Sequence, residues 1–346
     1  MPFRLPIRSA AIAALGAALL AGCAEPPPVI TPPPPAAPTV SLSPKLIELA
    51  SAYRYYMVRT TGITPEFTDG ASVARSLQTG ASYEPQQLVR GSIAYAAVIA
   101  LQDKAFVEGV RVYAKDPVQR RQIAYEIMKD PAYAVGISGS ASAAGLVIAT
   151  LGGDAQRLYD QGKAVKQAAY DIQKQPWSKA EVPGREARLA GAKSLSASAM
   201  LGDVEETARL QQASMGVSSL GLTATAAPPP YTPTVIRGLA IAALAALGEA
   251  TDANAEQLMA LTHEPNIGMC MGTSKLNLYQ CLAVARPNYE DVFCLGQHAM
   301  MDTGRCVIRA AGLPEPYEAR YIPDAKTIAK GMPTKKPAPK KGKRKS

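Results

Sequence analysis

From Lys45 onward, apolar residues return at helical rather than strand spacing. Leu46, Leu49, Tyr53, Tyr56 and Met57 share one face of a period of about 3.6 residues. Leu88, Tyr95, Val98 and Ile99 mark a second stripe, and Leu158, Gly162, Val165, Ala169 and Ile172 a third. Thr64-Pro65, Asp116-Pro117, Asp130-Pro131 and Thr232-Pro233 each pair a capping side chain with a proline suited to the first helical position. Asp203-Val204-Glu205-Glu206 has the form of a capping box after Gly202. The pattern predicts about ten helices on short loops and no strand.

Two stretches are apolar enough to be mistaken for membrane spans, AVGISGSASAAGLVIATLGG at 134–153 and VIRGLAIAALAALGEA at 235–250. The first is rich in Gly and Ser, which suit close helix crossings inside a protein. The second is short and carries Arg237. Both are expected to be buried helices. Alanine dominates, and it is the best helix former, so the expected fold is all-α, an Ala-rich multi-helix bundle. A proline-broken run, SLGLTATAAPPPYTPT at 219–234, is read as the boundary between a helical domain, 44–222, and a C-terminal helical module, 231–322. No repeat of solenoid length stands out.

The N-terminus follows a different pattern. Arg4 and Arg8 precede SAAIAALGAALLAG, an apolar run shorter than the roughly 20 residues a membrane span requires. A charged start, a short apolar run and small residues at its end make a secretory signal over 1–22. Its last residues, Leu20-Ala21-Gly22-Cys23, resemble the lipobox of bacterial lipoproteins. The resemblance covers the first 23 residues only. It implies cleavage after Gly22, diacylglycerol on the Cys23 sulfur and a further acyl chain on the freed amine. Several chains on one residue anchor stably where one is marginal. Ala24, where aspartate would signal inner-membrane retention, implies the outer membrane, facing the periplasm. Residues 23–43 form a proline-rich linker, expected to be disordered or polyproline II, which at about 3.1 Å per residue reaches roughly 60 Å.

The formal charge of +9 is that of a nucleic-acid binder until it is located. Nine of the 37 basic residues fall between Lys326 and Lys345 with no acid among them, and two more lie in the signal. The remaining basic residues nearly balance the 28 acidic ones. The segment 323–346 mixes lysine with Pro and Gly and is expected to be a disordered basic tail. Lys335, Lys336, Lys340, Lys341, Lys343, Arg344 and Lys345 are its candidate contacts to an anionic envelope polymer or lipid headgroups, each worth about 1 kcal/mol near such a surface. A solubilising end with no partner is the plain alternative. Export would separate the chain from cytoplasmic DNA and RNA, so no nucleic-acid partner is expected.

Cys270, Cys281, Cys294 and Cys306 are an even set in an expected oxidising compartment, which points to two disulfides. No closely paired cysteines suit zinc, haem or redox work. Thr273-Ser274 could cap a helix running to about Arg286, Pro287-Asn288 would turn the chain, and a second helix would end at Gly304. Cys281 lies six residues before Pro287 and Cys294 seven after, while Cys270 and Cys306 lie seventeen before and nineteen after. An antiparallel hairpin would then nest Cys281–Cys294 inside Cys270–Cys306. The arrangement is similar to stapled helical hairpins with paired cysteines on each arm, although the spacings are unequal and Cys270 falls ahead of its helix. The sequential pairing, Cys270–Cys281 with Cys294–Cys306, remains the alternative.

Candidate chemistry is sparse. His298 stands near Met300, Met301 and the Met269-Cys270-Met271 run, a soft set for copper, but methionines beside a disulfide are ordinary core fillers. His263 is the only other histidine. GISGS at 136–140 fails the nucleophile-elbow pattern, and GMCMGTSK at 268–275 has the wrong order for a phosphate loop. Glu205, Glu206, Glu249, Asp252 and Glu256 read as solvated helix faces. Fifteen tyrosines against four phenylalanines suit sugar or protein surfaces, or gap-filling between alanines. Trp177 reads as the mark of a loop or hinge. No cofactor and no metal are expected.

The expectation is a non-enzymatic, outer-membrane-anchored periplasmic lipoprotein acting as an envelope scaffold or adaptor. A ligand- or partner-binding accessory subunit would instead show a large apolar pocket. An envelope-polymer hydrolase would show a cleft with a carboxylate of raised pKa.

Overall fold

The computed structural model describes residues 38–318. The signal 1–22, Cys23 and the linker to residue 37, and the basic tail from Lys335 to Lys345 lie outside the described residues.

Among the described residues there are fourteen α-helices and no strand. The first six are α1 (Pro44–Thr61), α2 (Gly70–Ala81), α3 (Pro85–Ala100), α4 (Lys104–Arg111), α5 (Pro117–Lys129) and the long α6 (Ser140–Asp171). Then come α7 (Pro176–Lys179), α8 (Arg185–Ala197), α9 (Val204–Ser214), α10 (Pro233–Leu247) and α11 (Ala255–Leu261). The last are α12 (Pro265–Val284), α13 (Asn288–Cys294) and α14 (Asp302–Ala311), with a π-helical turn, Leu295–Met301, joining α13 to α14.

Side-chain caps explain half of the α-helix starts. Asp116, Asp203 and Thr232 accept from first-turn amides of α5, α9 and α10, as their positions in the sequence indicate. Thr64-Pro65 opens no helix. The chain instead runs as a loop that buries Ile63 and Phe67, and α2 starts where Asp69 and Ser72 cap each other reciprocally. Asp130-Pro131 opens a 3-10 stretch, Pro131–Gly136, rather than an α-helix.

The core is organised on α3, which is buried all round from Ser92 to Ala100, and on α10, buried from Gly238 to Leu247. Helices apolar on every side belong in the interior. α1 and α10 pack on α3, and α6 packs on α1 and α3 and also takes α14 and the π turn. No described helix is long and apolar enough to cross a membrane.

The boundary read at 219–234 is corrected. Residues on both sides belong to one compact unit. The stretch crosses α6 as an extended strap, with Ala227 N–H donating to the Ala141 carbonyl at 2.9 Å. It runs so close that a Cβ on Gly145 would lie 2.0 Å from the Thr225 carbonyl oxygen. Proline here lays down an extended segment rather than a linker, and α10 beyond it fills the face of α3 that 44–222 leaves open.

The disulfides are Cys270–Cys306 and Cys281–Cys294, with Cα separations of 5.8 and 5.7 Å, the nested arrangement. The helices that carry them differ from expectation. α12 starts at Pro265 under a Glu264 cap, not at Thr273, so Cys270 lies inside it. Gly304 lies within α14, which ends at Gly312 with φ 80°. The run continues through Gly304, which is not left-handed, and stops at Gly312, whose left-handed backbone caps the helix. Within the π turn, Gly296 meets α6 at a distance that leaves no room for a side chain, since its Cβ would lie 2.5 Å from the Lys166 amide nitrogen.

Candidate functional site

A cleft of about 990 Å³ opens between α2 and α8. Its walls are small and apolar: Ala71, Ala74 and Leu77 from α2, and Ala187, Gly191 and Leu195 from α8. The segment from Trp177 to Gly184 closes one end, and Asn288 and Asp291 of α13 form the floor with Arg188. Trp177 is the single tryptophan of the chain.

The floor is built by helix ends. The last carbonyls of a helix have no partner within it, and α8 supplies guanidinium donors to those of α12. Arg185 Nε donates to the Ala285 carbonyl at 2.9 Å and its Nη2 to Ala283 at 3.1 Å. Arg188 Nη2 donates to the carbonyls of Leu282 and Ala285. Positive charge at a helix C-terminus also complements the dipole. Arg188 Nη1 in turn donates to Asp291 Oδ1, in an ion pair whose side chains are 9% and 3% exposed.

Burial lifts the Asp291 carboxyl to about 6, against the pull of the Arg188 guanidinium. Arg188 Nε–H is buried and has no partner in the structure. An unsatisfied buried donor costs about 1–3 kcal/mol, a strain held behind the floor by the bonds of the two Nη atoms. Asn288 Nδ2 donates to the carbonyls of Trp177 at 3.2 Å and Ala180 at 3.1 Å, which latches the end wall to α13. The Cys281–Cys294 disulfide joins α13 to the end of α12 that the two arginines cap. The floor is therefore covalently and electrostatically fixed.

A second polar group lies inside the body. Lys275 is 3% exposed, and burial pushes its ammonium well below its usual range. Its Nζ donates to the Ala81 carbonyl at 2.8 Å and stands 3.3 Å from the centre of the Tyr83 ring. The Tyr83 hydroxyl, pushed up to about 12 by burial, lies 3.0 Å from Thr303 Oγ1 and 3.3 Å from Ser274 Oγ. Ser274 Oγ donates to the His298 carbonyl at 2.6 Å. Serine and lysine are neighbours in sequence, yet each hydrogen-bonds elsewhere, so they are not assembled as nucleophile and base.

A third group joins α1, α6 and α9. Asp154, 4% exposed, accepts from Arg54 Nη1 at 2.6 Å and from Arg157. Arg54 also reaches Glu206 at 3.3 Å and stacks over Tyr95.

The sequence candidates disperse over the fold. His298 Nδ1 pairs with Asp302 Oδ2 at 2.8 Å, and its ring meets Phe293 edge-on. Met300 and Met301 are fully buried, whereas Met269 is exposed. Among the described residues no three of His, Cys, Asp and Glu stand together as metal ligands. Glu206 is drawn into the Arg54 cluster and Glu249 pairs with Arg120 at 3.2 Å, while Glu205, Asp252 and Glu256 remain exposed. Trp177, read as a loop marker, sits in the short α7 on the wall of the cleft. Tyr53, Tyr56, Tyr83 and Tyr95 are buried between alanine-rich helices, so these tyrosines fill gaps. Arg188, Asp291 and Lys275 match no catalytic or ligand-binding motif in the sequence, and only the fold buries them.

No protein-family model, no curated protein and no solved structure matches the chain.

Proposed function

We propose that the protein is a lipid-anchored, non-enzymatic adaptor of the bacterial envelope that holds a small ligand in the cleft between α2 and α8. Cys23 would carry the anchor at the outer membrane, and the lysines from 335 to 345 would meet an anionic envelope surface. The observation that carries the reading is the cleft itself. Its volume of about 990 Å³ and apolar walls with a few buried polar groups match small-molecule sites, which span roughly 300–1,000 Å³. Two disulfides support an oxidising compartment, because such bonds persist outside the cytosol.

The test is fractionation with intact mass. The native protein is expected in the membrane fraction with acyl mass on Cys23, and Cys23→Ser is expected to become soluble. An unmodified Cys23 in a soluble native protein would overturn the anchor.

A second reading, an envelope-polymer hydrolase, is favoured by one observation, the raised carboxyl of Asp291 in the cleft. Against it, Asp291 is engaged by Arg188. Turnover of purified sacculi that Asp291→Asn abolishes would establish that reading.

A further inference from the structure

We propose that the ligand of the α2–α8 cleft is a neutral single-chain amphiphile, its acyl chain lying between the two helices and its ester, amide or hydroxyl head on the Arg188–Asp291 pair. This rests on the reading of the protein as an envelope binder, which supplies the chemical class, and it adds the head and the chain.

Three observations converge on it. The walls carry Ala71, Ala74, Ala187 and Gly191, side chains too small to fill the space between α2 and α8, so a slim apolar chain fits where a helix with its own side chains would need more room. The floor holds a cation and an anion that already neutralise each other, so a charged head would bring uncompensated charge to a buried pair. A neutral head adds no charge there, and its hydroxyl or amide donates to Asp291, whose one bond from Arg188 falls on Oδ1.

Trp177 makes the proposal directly measurable. It is the sole tryptophan and it lines the cleft, so its emission reports occupancy without a label. The experiment uses the full chain with Cys23→Ser, which removes competing acyl groups, and both disulfides formed. The probe is a monoacylglycerol with a dibrominated stearoyl chain, titrated below the concentration at which it aggregates. Saturable quenching of Trp177 is expected.

The blocking variant is Gly191→Leu. A Cβ at Gly191 meets nothing within 4 Å, so the larger side chain enters the cleft without disturbing the fold. It should weaken binding at least tenfold with an unchanged or higher Tm. Ala74→Leu, on the opposite wall and exposed, should do the same. Stearate and a stearyl ammonium of equal length should each bind at least fivefold more weakly than the neutral probe.

Absence of saturable quenching, or quenching that both Leu variants leave intact, overturns the site. Stearate or the ammonium binding as tightly as the neutral probe overturns the head assignment. An acylated, membrane-bound protein that fails to quench sinks this inference alone. A soluble, unmodified native protein that does quench sinks the anchor alone.

Discussion

Lys275 of α12 and Tyr83 of the turn between α2 and α3 meet in the interior with Nζ 3.3 Å from the ring centre, although they stand 192 positions apart in the chain. The ammonium has one carbonyl partner, Ala81, and that oxygen also accepts from Ser196 Oγ at 2.9 Å. Removing the lysine therefore strands no buried acceptor. Lys275→Met, which keeps the length of the side chain and removes a desolvated charge, is expected to be neutral or stabilising by about 1 kcal/mol at pH 7 in urea denaturation. The sign of the pH dependence follows from the depressed Lys275 pKa. Between that pKa and the ordinary value of about 10.4 the unfolded chain binds more protons, so native stability rises with pH. The margin of Lys275→Met over wild type should shrink as pH approaches 10. A margin that grows would contradict a desolvated lysine.

Asp291 gives the opposite slope. Its carboxyl titrates at about 6 in the native protein, above the ordinary value of about 3.9, so between these values the native state holds the proton more tightly and stability falls as pH rises. Relative to Asp291→Asn, wild type should lose about 2–3 kcal/mol between pH 4 and pH 6.5. Parallel denaturation midpoints for both proteins across that range would disprove the shift. The comparison of slopes is the informative quantity, because the variant also leaves Arg188 without its carboxylate.

The two disulfides close loops of different length, with sequence separations of 36 for Cys270–Cys306 and 13 for Cys281–Cys294. Loop-closure entropy assigns them roughly 4 and 3 kcal/mol. Replacing each pair by alanine, with the other pair oxidised, should lower the guanidinium midpoint more for Cys270/Cys306. The Cys281/Cys294 variant should in addition shift Trp177 emission, because that bond fixes α13 beneath the cleft. Identical spectra would show that the floor stands without it.

Gly191 and Gly296 make a matched pair of tests on glycine in helices. Gly191 faces open space in α8, and alanine there should stabilise by about 0.5–1 kcal/mol through helix propensity. At Gly296 a Cβ would press on the backbone of α6 at 2.5 Å, and alanine should destabilise by about 1–3 kcal/mol or more. Thermal melts of the two variants should move in opposite directions.

The fold was legible wherever one helix face repeats. Leu46, Leu49, Tyr53, Tyr56 and Met57 are buried on α1, and the α6 stripe from Leu158 to Ile172 is buried at each position. Start signals were less reliable, because a cap and a proline describe any turn. Thr64-Pro65 sits in a loop, and Glu264-Pro265 begins the helix that Thr273 was expected to cap. The cleft was not legible. Arg188 and Asp291 are 103 residues apart, and each looks like an ordinary charge on a polar helix. Lys275 did carry a signal. It is the one charged side chain in α12, placed four residues after Met271 and three before Leu278 on the buried stripe.

The strap of residues 219–230 joins two halves of the chain that complete one core, so each is expected to need the other to fold. A nascent polypeptide that has reached residue 218 already holds α3 and α6 yet lacks the helix that seals them, so it must stay collapsed and unsealed until Leu247 has emerged. A protease nick within the strap should accordingly leave two fragments that elute together under native conditions, and neither should fold when expressed by itself.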